Sequence, residues 1–370
     1  MFFYFSVYNN RGSILQFVKT GMMKVKKVLV LGGTRFFGKH LVEVLLQAGH
    51  EVTIATRGVT EDSFGSAVKR LIVDREDERL LEEHFEGKSY DIVYDNLCYS
   101  SNAAKIICEV LKGKTKKYIM TSSMAVYEPA LGLLEENFNP YEYTITYGGR
   151  NDFNYSEGKR LAEAVLFQHA TFPVVAVRFP VVIGENDYTK RLQFYVEHVV
   201  KQESIVVDHV DGELSFIHEK EAGQFLAWCG MENIEGPINA CSNGVVSTRE
   251  VIRFIEENTG IKALIQEVGD NIAPYNGVIN CTLHNGKARE LEFPFRELKL
   301  ETEKVLRYYI NTMKSSRIPR WQSGGFWRIS TILILHYQIY LIRTTNVFVI
   351  ELLVNTFHLP GPSSPYATSW

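Results

Sequence analysis

Tyr155 and Lys159 stand four residues apart in Tyr155-Ser156-Glu157-Gly158-Lys159. On a helix that spacing puts both side chains on one face, so a phenol and an ammonium can address one bound molecule. A free tyrosine ionises near pH ~10, too high for proton exchange at neutrality. A nearby ammonium favours the phenolate and moves that value toward the working range. Ser123 closes an apolar run in Thr121-Ser122-Ser123-Met124-Ala125-Val126-Tyr127. Its hydroxyl can hydrogen-bond the same substrate oxygen and stabilise charge developing there. The three residue types together suit proton transfer at an alcohol or carbonyl carbon.

These groups need a scaffold, and the chain upstream supplies one. The run Lys27-Val28-Leu29-Val30 reads as a buried strand. The glycine-rich turn Leu31-Gly32-Gly33-Thr34-Arg35-Phe36-Phe37-Gly38 follows it. That turn opens a helix whose N-terminal amides and dipole suit a pyrophosphate. Apolar residues at helical spacing run through 39–48 (Leu41, Val42, Leu45, Leu46) and stop at Gly49, a fitting C-terminal glycine. Further strands are expected at 51–55, 71–73, 91–94, 118–120 and 174–177. Strand and helix alternate, which predicts an α/β fold with a doubly wound parallel Rossmann sheet and a smaller C-terminal substrate domain. Residues 128–154, rich in Tyr, Asn, Gly and Pro, form a connection long enough to be functional or disordered, and they are expected to overhang the site.

Gly32, Gly38, Ser123, Tyr155 and Lys159 in this order resemble the extended short-chain dehydrogenase/reductase family, often labelled NAD-dependent epimerase/dehydratase. The resemblance runs from about residue 23 to about residue 312. Arg178-Phe179-Pro180 before Val182-Ile183-Gly184 resembles the strand and turn after that family's catalytic helix. Phe216-Ile217-His218, followed by Glu221-Ala222, is similar to its late F-I-H-V-x-D-x-A segment. The resemblance implies a cofactor-binding Rossmann domain over 23–180 and a substrate-binding portion over 181–312 that interleaves with the sheet. It implies Ser123, Tyr155 and Lys159 as catalytic residues. It places the cofactor on Gly32, Thr34, Arg35, Phe36, Phe37, Gly38, Arg57 and Asp74, together with Tyr155 and Lys159. The implied reaction moves hydride between the cofactor and a secondary alcohol or ketone carbon of a small, sugar-like substrate, as a reductase or as an epimerase. A homodimer paired through helices is the assembly the resemblance implies.

Departures from the pattern refine this expectation. Arg35 stands where the family has a middle glycine, and its guanidinium can reach a phosphate as a forked donor. Arg57 follows the second strand, where a member preferring NAD(H) carries an acid for the ribose 2′-hydroxyl. Both favour NADP(H) over NAD(H). Asp74-Arg75 resembles the adenine-contacting position. Met124 and Ala125 follow Ser123, so the extra acid of sugar dehydratases and decarboxylases is missing. Leu214-Ser215 precedes the Phe-Ile-His segment where nucleotide-sugar members tend to carry an arginine for the diphosphate.

Two rival readings come from other classes. Gly32-Gly33-Thr34-Arg35-Phe36, Asp74-Arg75 and Val93-Tyr94-Asp95 are also similar to chloroplast stem-loop-binding proteins, an atypical branch of the same superfamily, which implies RNA binding. Those relatives lack the tyrosine that this chain keeps at Tyr155. The other rival is a cofactor-binding regulator without catalysis. A net charge of −3 over 370 residues provides no basic footprint for nucleic acid. The five cysteines (Cys98, Cys108, Cys229, Cys241, Cys281) are odd in number and show no CxxC spacing, so they read as thiols in a reducing compartment, with a cytoplasmic location expected. No metal-ligand spacing is evident, and His218 reads as a core histidine. Residues 1–22 lack a basic n-region and cleavage site and read as an appended segment, as does the apolar tail 313–370. The tail's longest uncharged stretch, 329–342, falls short of the ~20 apolar residues of a spanning helix, so no membrane association is expected.

Overall fold

The computed structural model describes residues 5–8, 14–17 and 24–316. Residues 317–370, and with them nearly all of the expected tail, lie outside the described residues, as does most of 1–22.

The first strand of the main sheet shows how that sheet is built. In β1 (Lys27–Leu31) every residue after Lys27 is buried. Successive side chains point to opposite faces, so Val28 and Val30 enter one apolar cluster and Leu29 and Leu31 the other. An uninterrupted apolar run is what a parallel strand covered on both faces requires. The glycine turn then leads into α1 (Phe36–Gln47), three residues earlier than periodicity alone suggests, because the helix begins inside the turn. There follow β2 (Glu51–Thr56), β3 (Lys69–Ile72), α2 (Glu78–Phe85), β4 (Ile92–Asp95), α3 (Ser101–Val110), β5 (Tyr118–Ser123), α4 (Tyr155–His169) and β6 (Val174–Phe179). β7 (Val181–Ile183), α5 (Arg191–Lys201), β8 (Phe216–His218), α6 (Glu219–Met231), β9 (Gly236–Asn239), α7 (Thr248–Thr259) and the long α8 (Leu298–Ser316) complete the main elements. Asp77, Ser100, Asn154 and Ser247 each accept a backbone amide as N-caps of α2, α3, α4 and α7, the side-chain capping that free helix amides require.

The main sheet has seven strands in the order β9-β6-β5-β4-β1-β2-β3, and all of its pairings are parallel. This is the doubly wound Rossmann arrangement, with the order reversing between β1 and β4. One face is covered by α1 and α6, the other by α3 and α4. β3 lies at the sheet edge and is largely exposed; it begins two residues before, and ends one residue before, the apolar triplet at 71–73. β9 comes from the stretch expected to build the substrate portion and to interleave with the sheet, and it extends the main sheet beside β6. A third cluster, from α5, α7 and α8, packs around Tyr195, Val199, Ile255 and Leu306. α8 runs on through residue 316, past the boundary expected at 312. Among the described residues no helix is long and apolar enough to cross a membrane.

The connection 128–154 is pinned from below. Arg178 on β6 and Glu163 on α4 are both completely buried and pair at 2.6 Å. Arg178 also donates to the carbonyls of Glu135 (2.8 Å) and Phe138 (3.1 Å) and to the Tyr127 hydroxyl (2.8 Å). Ser122 hydrogen-bonds the same carboxylate. Removing one member leaves the other charge buried without its counterion, so Arg178→Met and Glu163→Gln are each expected to cost about 3–5 kcal/mol. Urea unfolding will show this. The double variant Arg178→Met/Glu163→Gln should lose less than the sum of the two single losses, and a strictly additive loss would contradict the pairing.

Candidate active site

The predicted site residues gather along the carboxyl edge of the sheet. The glycine turn follows β1, Arg57 follows β2 and Asp74 lies just past β3, so all three leave adjacent parallel strands. The Gly32 amide donates to the Ala55 carbonyl at 3.0 Å and fastens the turn to β2. Gly33 has φ +102°, and a Cβ on it would meet Val30 and Val42 at 3.0 Å. A Cβ on Gly38 would stand 3.0 Å from the Gly33 Cα. Turn and helix therefore touch backbone to backbone, leaving a side-chain-free cradle at a helix N-terminus. That cradle fits a dinucleotide pyrophosphate.

Arg35 is the N-cap of α1, with φ −135° and ψ 155°. This extended backbone is open to any residue, so the absence of the family's middle glycine does not distort the turn. Phe36, the next residue, takes φ +51°, a left-handed conformation that costs a non-glycine residue about 1–3 kcal/mol. Its ring is buried and meets Tyr188 at 6.0 Å, and Phe37 meets Phe179 at 5.9 Å. Thr34 is half-buried, whereas Arg35, Arg57 and Asp74 are exposed. The Asp74 carboxylate accepts the Glu76 amide at 3.0 Å. Its neighbour Arg75 is structural: buried, it pairs with Asp95 (2.7 Å) and donates to the Ala103 carbonyl (2.6 Å).

Ser123 ends β5 and accepts the Ala125 amide at 3.2 Å. Its hydroxyl proton is not used in that bond. The turn after it is held to α4 by Arg160, which donates to the Val126 carbonyl at 2.7 Å. Tyr155 opens α4 and is 55% exposed. Lys159 lies one turn deeper and is 1% exposed. The Lys159 ammonium donates to the carbonyls of Cys98 and Thr121, each at 2.8 Å, and lies 4.2 Å from the centre of the Tyr99 ring and 5.9 Å from that of Tyr155. The helix thus places phenol and ammonium on one face, while the lysine is seated against the loop after β4.

Tyr99 escaped the reading of the sequence. Its ring lies 4.4 Å from the Arg150 guanidinium and 6.2 Å from the Tyr155 ring, and burial pushes its hydroxyl up to about 12. An aromatic beside the cap of α3 has no signature of its own. The signal that was available is Gly158, whose Cβ would stand 2.4 Å from the Tyr99 carbonyl.

The sequence pattern of the NAD dependent epimerase/dehydratase family matches residues 28–229. The UDP-glucose 4-epimerase of Thermus thermophilus, solved as a complex with NAD, aligns with a TM-score of 0.58 at 18% identity, covering 76% of this chain and 98% of that one. An epimerase from Methanothermobacter thermautotrophicus aligns with a TM-score of 0.62 at 17% identity, covering 80% and 95%. These likenesses establish the fold. Among curated sequences, the chloroplast stem-loop binding protein of 41 kDa b from Arabidopsis thaliana is 33% identical over 115 residues, 28% of this chain and 30% of that protein's length.

Gly158→Ala tests the seat of Lys159. Alanine would gain about 1 kcal/mol of helix propensity, but the collision with the Tyr99 carbonyl should reverse that into a net loss of about 1–3 kcal/mol. A variant that melts above the wild type would mean that α4 does not press on this loop.

Proposed function

Because the chain belongs to the NAD-dependent epimerase/dehydratase family, we propose that it is a nicotinamide-dependent oxidoreductase or epimerase acting at a secondary alcohol or ketone carbon of a small, sugar-like substrate. The observation that carries this reading is the attachment of all three reacting side chains to the carboxyl edge beside the glycine cradle: Ser123 ends β5, and Tyr155 and Lys159 share a face of α4. The nicotinamide, when bound, takes up or returns the hydride. Gly32, Gly33 and Gly38 leave the backbone open to its pyrophosphate. Tyr155 moves the proton at the substrate oxygen, and Ser123 keeps its own proton and donates a hydrogen bond to the same oxygen. The Lys159 ammonium, fixed by two carbonyls, supplies positive charge 5.9 Å from the centre of the Tyr155 ring.

Arg57 and Arg35 support NADP(H) over NAD(H), since no acid follows β2 and both side chains are exposed. Structurally similar proteins were solved with NAD and with UDP or UDP-sugars, and an NAD-binding site is the alternative to the arginine argument. Ser215, at the position where an arginine would bind a diphosphate, is buried and accepts the Leu283 amide at 3.0 Å. With no guanidinium there, a substrate without a nucleoside diphosphate is favoured. The stem-loop-binding relative favours RNA as a second reading, which the net charge of −3 opposes.

Tyr155→Phe is expected to lower turnover by about 10²–10⁴-fold, the range of general acid–base catalysis, with cofactor affinity near that of the wild type. Unchanged turnover would strip Tyr155 of its catalytic role, cofactor binding with no turnover in the wild type would leave the regulator reading standing, and tight stem-loop binding would support the RNA reading. Arg57→Asp should weaken NADPH binding by about tenfold to a hundredfold, the worth of a charge-assisted bond of about 1.5–3 kcal/mol. NADH binding should hold or improve. Equal affinity of the wild type for both cofactors, measured by fluorescence titration, would overturn the preference.

A further inference from the structure

A second cluster of chemical groups lies where β7, β8 and the start of α6 meet. β7 and β8 pair in parallel with Ile183 opposite His218, so Glu185, two residues past Ile183, comes beside His218 and Glu219. One ligand atom from each of these three lies within 4.8 Å of the other two. His218 Nε2 stands 3.3 Å from Glu185 Oε2. Glu219 is wholly buried; its Oε1 accepts both the backbone and side-chain amides of Asn186, at 3.2 and 3.1 Å. Its Oε2 and Glu185 Oε2 are buried without a well-formed hydrogen bond, each facing an imidazole nitrogen. His40 of α1 stands behind, its Nε2 3.6 Å from Glu219 Oε2 and its Nδ1 2.8 Å from Glu43.

Two buried carboxylate oxygens that meet only imidazole nitrogens, at 3.3 and 3.6 Å, beyond good hydrogen-bond length, are costly unless a cation compensates them more fully. We propose that Glu185, His218 and Glu219 form a divalent metal site of the zinc type, with His40 as the outer partner of Glu219. Imidazole nitrogen and carboxylate oxygen are zinc ligands at about 2.0–2.2 Å, which in a tetrahedron sets neighbouring ligand atoms roughly 3.4 Å apart. The 3.3 Å between Glu185 and His218 is that spacing. The imidazole nitrogen favours zinc or a similar transition ion over the all-oxygen shells of calcium and magnesium. Glu185 keeps about a quarter of its side chain exposed, at 26%, which provides an entry path and leaves the remaining position to water. His218 Nδ1 now accepts the Lys220 amide at 3.2 Å. A metal on Nε2 moves the ring proton to Nδ1 and ends that cap, so the two carboxylates must outweigh one long hydrogen bond. The site would join α6 and the loop after β7 to α1, the helix that carries the glycine turn. It does not depend on the reaction proposed above.

The test uses the full chain, stripped with a chelator and titrated with zinc in competition with a chromophoric chelator. The expected result is one ion per chain and a raised melting temperature. Binding should be at least tenfold weaker in Glu219→Gln and in Glu185→Gln, with the thermal shift lost in both. If Glu219→Gln does not fold, the partly exposed Glu185→Gln decides. No stoichiometric binding, or equal binding by wild type and Glu185→Gln, overturns the proposal.

Discussion

The buried pair of Arg178 and Glu163 determines how α4 and the connection before it sit on the sheet. One partner belongs to the sheet and the other to α4, so the helix that presents Tyr155 and Lys159 is fixed to β6 by charge as well as by packing. A buried ion pair is weak evidence of stability because desolvation offsets its attraction. Its value here lies in geometry. Each guanidinium nitrogen has a partner, and three of those partners (Glu135, Phe138 and Tyr127) belong to the segment between β5 and α4. One side chain thereby orders the long connection above the site and the helix below it.

The seat of Lys159 extends this dependence toward the cleft. An ammonium with 1% exposure needs compensation, and two carbonyls from the ends of adjacent strands provide it, with the face of Tyr99 beside them. Those carbonyls belong to Cys98, after β4, and to Thr121, two residues before Ser123. The lysine therefore reports the spacing of the strand ends to α4. Gly158 permits that closeness, since any side chain there would meet the Tyr99 carbonyl.

What could be read in advance was local. The glycine turn, the four-residue spacing of Tyr155 and Lys159 and the apolar strand runs are each written within a few neighbouring residues, and the fold followed from them. Groups joined across the chain were not legible. Arg75 meets Asp95 across 20 positions. Glu185 comes beside His218 only because two short strands pair, and Asp74-Arg75 drew attention to the exposed acid although the buried arginine carries the packing. The ends of elements shifted for a similar reason. β5 and β6 run on to Ser123 and Phe179 because each continues a ladder with the other, and that partner is invisible in a window of one strand.

The turn after β1 shows how a departure from pattern can be absorbed. A glycine is favoured where φ is positive and required where two backbones touch, and Gly33 and Gly38 meet those conditions. Position 35 meets neither of them, since its backbone is extended. Arginine is therefore free to stand there, and its exposed side chain lies beside the cradle. The left-handed residue of the helix start is Phe36, and a phenylalanine can hold that conformation only if its surroundings over-determine it. Its ring is buried beside Val30 and Leu41 in the core cluster and meets Tyr188 edge-on, so burial of an aromatic side chain offsets the backbone cost. The residues that vary from the family pattern thus sit where the backbone tolerates them, and the strain is carried by a side chain anchored in the core.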